Sequence, residues 1–120
     1  MKKNHLLLAL CAVLAFAFVA GRTFVGHWKV AYGNGAKGFV VFRKDGTNEA
    51  TFTNENWKVG GRYKVEGNTV SITDSSCGLN YWASYKVNWF SDDSVQVTVI
   101  QDSCMGRKGS VDGSVMVRMK

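Results

Sequence analysis

The chain has 120 residues, 15 Lys and Arg against 9 Asp and Glu, a formal net charge of +6, three cysteines, two histidines and no proline. That length suits one domain built on one core and leaves no room for a second. The basic residues are scattered rather than interleaved with aromatics, which argues against a nucleic-acid surface and favours plain solubility.

The chain opens on Lys2 and Lys3, followed by an apolar run from Leu6 to Ala20 with small residues spaced as Ala15-Phe16-Ala17. This is the pattern of a secretory signal peptide over residues 1–20, leaving a domain over 21–120 outside the cytosol, periplasmic or secreted. Cleavage after Ala17 satisfies the small-x-small rule, and cleavage after Ala20 falls just before Gly21. The run is shorter than the roughly 20 residues of a spanning helix, so no membrane span is expected once the leader is removed. A lipid anchor at Cys11 is disfavoured because Leu10, not a small residue, precedes it.

Removing the leader leaves two cysteines, Cys77 and Cys104, which in an oxidising compartment most simply form a disulfide. Closing that loop stabilises a small fold by roughly 3 to 4 kcal/mol in the chain-entropy account. With His27 as the remaining histidine and no Cys-x-x-Cys, neither a structural metal site nor a cofactor is expected.

From Thr23 onward the hydrophobic period is two, the mark of half-buried strands. Phe24, Gly26, Trp28, Val30 and Tyr32 share one face of the first strand. A turn at Gly33-Asn34-Gly35 leads to a second strand over Gly38 to Lys44, and Asp45-Gly46 is a hairpin signal before a third over Asn48 to Thr53. The fourth alternates Trp57, Val59, Gly61, Tyr63 and Val65 with Lys58, Arg62 and Lys64; the fifth carries Val70 and Ile72. The sixth places Tyr81, Ala83, Tyr85, Val87 and Trp89 opposite Trp82, Ser84 and Lys86. Val95, Val97 and Val99 define a seventh, and Val111, Gly113, Val115, Val117 and Met119 an eighth, with no helical stretch between them.

Eight short strands joined by tight turns predict an all-β antiparallel meander, which removes its exposed edges by closing into a small eight-stranded barrel. Such a barrel is either filled by its own side chains or holds one small ligand. A membrane barrel fits the alternation less well: several strands are shorter than the 9 to 11 residues that span a bilayer, and the chain ends in Arg118-Met119-Lys120.

Gly26-x-Trp28, then Phe42-Arg43-Lys44-Asp45-Gly46-Thr47, then Gly61-x-Tyr63-x-Val65-x-Gly67-Asn68-Thr69-Val70-x-Ile72 resemble the small secreted bacterial lipocalin-like domains of the calycin group. The segment Asp102-Ser103-Cys104-Met105-Gly106-Arg107 is similar to a cysteine-centred strand exit in some secreted members. The resemblance implies a compact meander barrel with a pocket at one end and Trp28 plugging the other. The chain is much shorter than a full-size lipocalin and shows no evident C-terminal helix.

Three functions follow as expectations. A carrier of a small apolar or amphipathic molecule would line its cavity with Trp57, Tyr63, Tyr85, Val87 and Val97. A protein-interaction or inhibitor-like module, facing a secreted protein partner, would use Trp82 on the outer face of its strand together with Arg107 and Lys108, read as a flexible basic loop between Gly106 and Gly109. The alternative for that loop is an Asp102–Arg107 pair that fixes it in place. Phe90 and Met116 raise the same question of exposure as Trp82. The third expectation is a structural, envelope-associated domain. Catalysis finds no support: His27 lies on a polar strand face with no nucleophile beside it, and Asp92 and Asp93 are adjacent turn residues that point apart. The expected protein is a non-enzymatic monomer.

Overall fold

A computed structural model describes residues 22–53 and 55–120, with the backbone alone at 55–57. The expected leader and the side chain of Trp57 lie outside the described residues. Eight strands follow one another as β1 (Gly26–Ala31), β2 (Lys37–Phe42), β3 (Thr47–Phe52), β4 (Glu55–Glu66), β5 (Thr69–Asp74), β6 (Gly78–Ser91), β7 (Ser94–Gln101) and β8 (Val115–Arg118), with one helix, α1 (Met105–Val111), before the last. Every strand pairs antiparallel with its neighbour in sequence, and β8 returns to β1 to close the barrel.

The hairpins form where the sequence offers side-chain acceptors and glycine. At the β2–β3 turn Gly46 takes φ +87°, and Asp45 Oδ1 accepts hydrogen bonds from the Thr47 backbone N–H at 3.0 Å and the Thr47 hydroxyl at 2.6 Å. An acceptor preceding a positive-φ glycine pre-shapes the turn and sets the register of both strands.

The apolar face of each strand points inward. Trp28, Val30, Tyr85, Val87, Val95 and Val97 are buried, while Lys29, Lys58, Lys64 and Lys86 stand outside on alternate positions. This is the reverse of a lipid-embedded barrel, whose outer surface is the apolar one. Among the described residues no helix is long and apolar enough to cross a membrane.

One end of the barrel is sealed by aromatics. Phe24 meets Phe42 edge-on at 5.5 Å and lies 5.2 Å from Trp89, and Trp28 packs beneath them with its indole N–H donating to the Phe24 carbonyl at 2.8 Å. Arg118 completes the seal: its guanidinium lies 4.3 Å from the Trp28 ring and donates to the Val25 carbonyl at 2.8 Å and to Asp93 Oδ1 at 3.0 Å. A Cβ on Gly26 would sit 2.9 Å from the Arg118 Nη1, so glycine there makes room for the arginine. The plugging role read for Trp28 is the one it has.

The eighth strand differs from the expectation in two ways. Residues 105–111, read as a strand exit and loop with no helix, form α1 and take Val111 from the strand, and the inward residues are Ser114 and Met116, while Val117 is 50% exposed. The valine alternation that suggested the opposite face is broken by the helix and by Gly113 at φ +82°, which re-enters the sheet one residue out of phase. Met116, read beside Phe90 as a surface question, is core; Phe90 is exposed.

Candidate functional site

Above the aromatic plug the barrel is hollow. A cavity of about 600 Å³ runs between the sheet walls to α1, within the size range of small-molecule sites. Its breadth comes from modest side chains on four consecutive strands: Val40, Ala50, Val59 and Val70 face the space, whereas Tyr32, just after β1, and Tyr85 of β6 are the large ones. Ile72, Val97 and Met116 complete an apolar wall.

The far end is polar. Gly106, Arg107, Ser110 and Val111 of α1 reach the cavity, as do Asp74, Ser76 and the Cys77–Cys104 disulfide. The expected disulfide is therefore present, and it ties the β5–β6 turn to the residue that starts the helix. At the opposite end of α1 the Ser110 carbonyl accepts from the Gly33 N–H at 2.8 Å, and Asp112 Oδ1 accepts from the Val99 N–H at 2.8 Å. A Cβ at Gly33 would fall 1.8 Å from the Asp112 carbonyl oxygen, so the β1–β2 turn approaches the helix end as only glycine permits.

Arg107 lies at the centre of this end. Its Nε and Nη2 donate to the two carboxylate oxygens of Asp102 at 2.8 and 3.2 Å, and its Nη1 donates to Asp74 Oδ2 at 3.1 Å. The Tyr85 hydroxyl donates to Asp102 Oδ2, and the Cys104 N–H donates to its Oδ1 at 2.9 Å. Asp74 Oδ1 accepts from the Ser76 N–H at 2.9 Å and from the Ser76 hydroxyl. The Tyr81 ring lies 5.5 Å from the guanidinium carbon. Burial by itself would raise the Asp102 carboxyl, but the hydrogen bonds from Arg107 and Tyr85 outweigh it and hold the group below its ordinary value. Burial and the Asp102 carboxylate together push the Tyr85 hydroxyl far up, so it stays a proton donor.

Of the residues expected to line a ligand cavity, Tyr85 and Val97 do so. Val87 is buried but away from the cavity, and Tyr63 turns to the barrel rim, stacking edge-on to Phe42 at 4.9 Å and donating to the Arg43 carbonyl at 2.8 Å. Trp57 falls outside the described side chains. Of the expected partner-contacting residues, Trp82 is on the outer face, half-covered by Lys64 at 4.5 Å and Arg62 at 5.2 Å from its ring. Arg107 is not on a free loop: it is 6% exposed and committed to Asp74 and Asp102. The Asp102–Arg107 pair, the other reading of that loop, is the one formed. Lys108 is half-buried in the same helix.

Among the polar cavity residues that the sequence reading missed are Asp74, Asn48 and Ser114. Asp74 closes the fifth strand beside a turn and looks like a turn residue, Asn48 opens the third, and Ser114 sits in a segment read as strand. The signal for Asn48 and Asp74 was available: each continues the inward parity of its strand, so a polar residue there must face the interior.

The fold has known counterparts. A lipocalin-like protein from Bacteroides uniformis superposes with a TM-score of 0.50 at 16% identity, over 80% of this chain and 98% of that one. This chain has a lipocalin-like β-barrel fold. The structure of pallilysin from Treponema pallidum is similar as well, with a TM-score of 0.54 at 13% identity, over 92% of this chain and 97% of the other. No family model matches the sequence, and no curated protein matches it. At these identities the likeness is one of fold.

Proposed function

We propose that the protein is a secreted or periplasmic, non-enzymatic carrier that binds one small amphipathic molecule inside the barrel, after loss of the leader at residues 1–20. The observation that carries this reading is the hollow interior itself: a cavity of about 600 Å³, apolar along its walls and polar at the end beneath α1. Leaving such space unfilled forfeits packing contacts that larger side chains would supply, a cost that a resident ligand offsets. Two features favour an amphipathic ligand over a wholly apolar one: Asp74 and Arg107 of the ordered ion cluster reach the cavity, and so does Asn48.

The interaction-module reading, in which Trp82 and a basic loop meet a protein, loses its loop, because Arg107 is turned inward, and its Trp82 is half-covered by two cations. The test of the carrier reading is native mass spectrometry of protein taken from the secreted or periplasmic fraction of its producing cell. A bound mass released on denaturation supports the carrier; a clean apo mass in every preparation, with no uptake of added amphiphiles, contradicts it.

A further inference from the structure

The charges at the polar end do not balance. Asp74 and Asp102 face the single guanidinium of Arg107, and all three side chains are at most 9% exposed. Asp102 is saturated: its two oxygens accept from Arg107 twice, from Tyr85 and from the Cys104 N–H. Asp74 is not. Its Oδ1 takes both Ser76 donors, but among the described residues its Oδ2 accepts from Arg107 alone, and a carboxylate oxygen accommodates two donors. One negative charge is therefore in excess, and the acceptor with room to spare belongs to the carboxylate that lines the cavity.

Asn48 adds an independent observation. It is 8% exposed and lines the cavity, and its Nδ2 donates to the Arg62 carbonyl at 3.0 Å, which fixes the orientation of the amide. Its Oδ1 accepts no hydrogen bond from the described residues, and since no fully buried polar side-chain atom there lacks a partner, this oxygen keeps accessible surface on a residue that lines the cavity. Asn48 pairs across the sheet with Gly61, and a Cβ at Gly61 would collide with the Thr73 carbonyl oxygen at 2.1 Å. The free acceptor and the under-used carboxylate thus lie on β3 and β5, with a strand position bearing no side chain between them.

We propose that the cavity selects ligands carrying a protonated amine, with Asp74 as counter-charge and Asn48 as acceptor for a further N–H or O–H of the ligand. The inference rests on the carrier reading and specifies its ligand class. An ammonium supplies donors without needing an acceptor and cancels the excess charge. A carboxylate ligand would meet a site that is already negative, since the guanidinium is held by two carboxylates and the Tyr81 ring. In a poorly solvated cavity that difference is felt far more strongly than at a surface.

Isothermal titration calorimetry of the mature protein at neutral pH with decylammonium, 1-decanol and decanoate, which share one apolar tail, separates the possibilities. Decylammonium is expected to bind at least about tenfold tighter than decanoate, with decanol between them. Asp74→Asn is expected to erase the preference, with its fold checked by circular dichroism. Asn48→Leu leaves the ion cluster intact and is expected to weaken decylammonium binding several-fold. Decanoate binding as tightly as decylammonium, or Asn48→Leu binding it unchanged, overturns the proposal while leaving the carrier reading in place. Binding of none of the three overturns the carrier reading as well.

Discussion

Arg107 grips Asp102 with two nitrogens, at 2.8 and 3.2 Å, five residues along the chain and across the start of α1. The pair holds a helix that local sequence alone would not form. α1 has seven residues, two of them glycine, and its N-cap residue Cys104 makes no side-chain capping bond. Helices this short and glycine-rich are unstable in isolation, so tertiary contacts must supply the stability.

Arg107→Met should therefore do more than remove a charge. It leaves Asp74 and Asp102 buried without their cation, a loss of about 3–5 kcal/mol for breaking a buried pair. Chemical denaturation read by tryptophan fluorescence measures the loss, and backbone amide exchange should show α1 opening before the barrel. A variant as stable as the parent would mean that the ion cluster does not hold the helix.

Removing the disulfide with Cys77→Ala and Cys104→Ala should cost roughly 3 to 4 kcal/mol, because the two positions are 27 apart in sequence. The loss should add to that of Arg107→Met less than fully, since both tether the same end of α1. A double-variant cycle in urea tests this coupling; full additivity would show that the bridge and the ion cluster act on separate elements.

The phase of β8 gives a substitution test. Met116 faces the core at 5% exposure and Val117 faces solvent at 50%. Val117→Lys should change stability by less than about 0.5 kcal/mol, whereas Met116→Lys should unfold the domain or cost several kcal/mol by burying an unpaired ammonium. Thermal melts of the two variants decide which face the strand presents.

Much of the barrel was legible in the sequence, and the exceptions share a cause. Alternation in β1 and β6 assigned Trp28, Val30, Ala83 and Tyr85 to the interior because a period-two pattern maps directly onto a half-buried strand. It failed at residues 111–119, where Val111, Gly113, Val115, Val117 and Met119 alternate by coincidence across a helix end, a turn and a strand. The cavity was misjudged by looking to aromatics such as Tyr63, when its space comes from small and medium side chains at Val40, Ala50, Val59 and Val70. Which end of the barrel is polar depended on Arg107 pairing with Asp74, 33 positions away, a contact no local pattern announces.

Asp102 and Tyr32 each make stability depend on pH. Asp102 is held below its unfolded value by Arg107 and Tyr85 despite burial, so its contribution is present above the unfolded value of about 4 and is lost as pH falls through the depressed folded value. Burial pushes the Tyr32 hydroxyl up to about 12, so its contribution is complete below the unfolded value near 10 and is lost as pH rises toward 12. Absorbance at the tyrosinate band should show Tyr32 and Tyr85 ionising only together with unfolding. Ionisation of Tyr32 and Tyr85 near pH 10 in folded protein would contradict this burial.

The central claim is that the barrel is hollow and open to a ligand. Its most direct test is titration with the fluorescent apolar probe N-phenyl-1-naphthylamine, comparing the mature protein with an Ala50→Trp, Val40→Phe variant that fills the cavity wall. Saturable binding of one probe per barrel, abolished in the filled variant while its circular dichroism is unchanged, is the expected result. No binding by the parent, or equal binding by both proteins, would contradict the account.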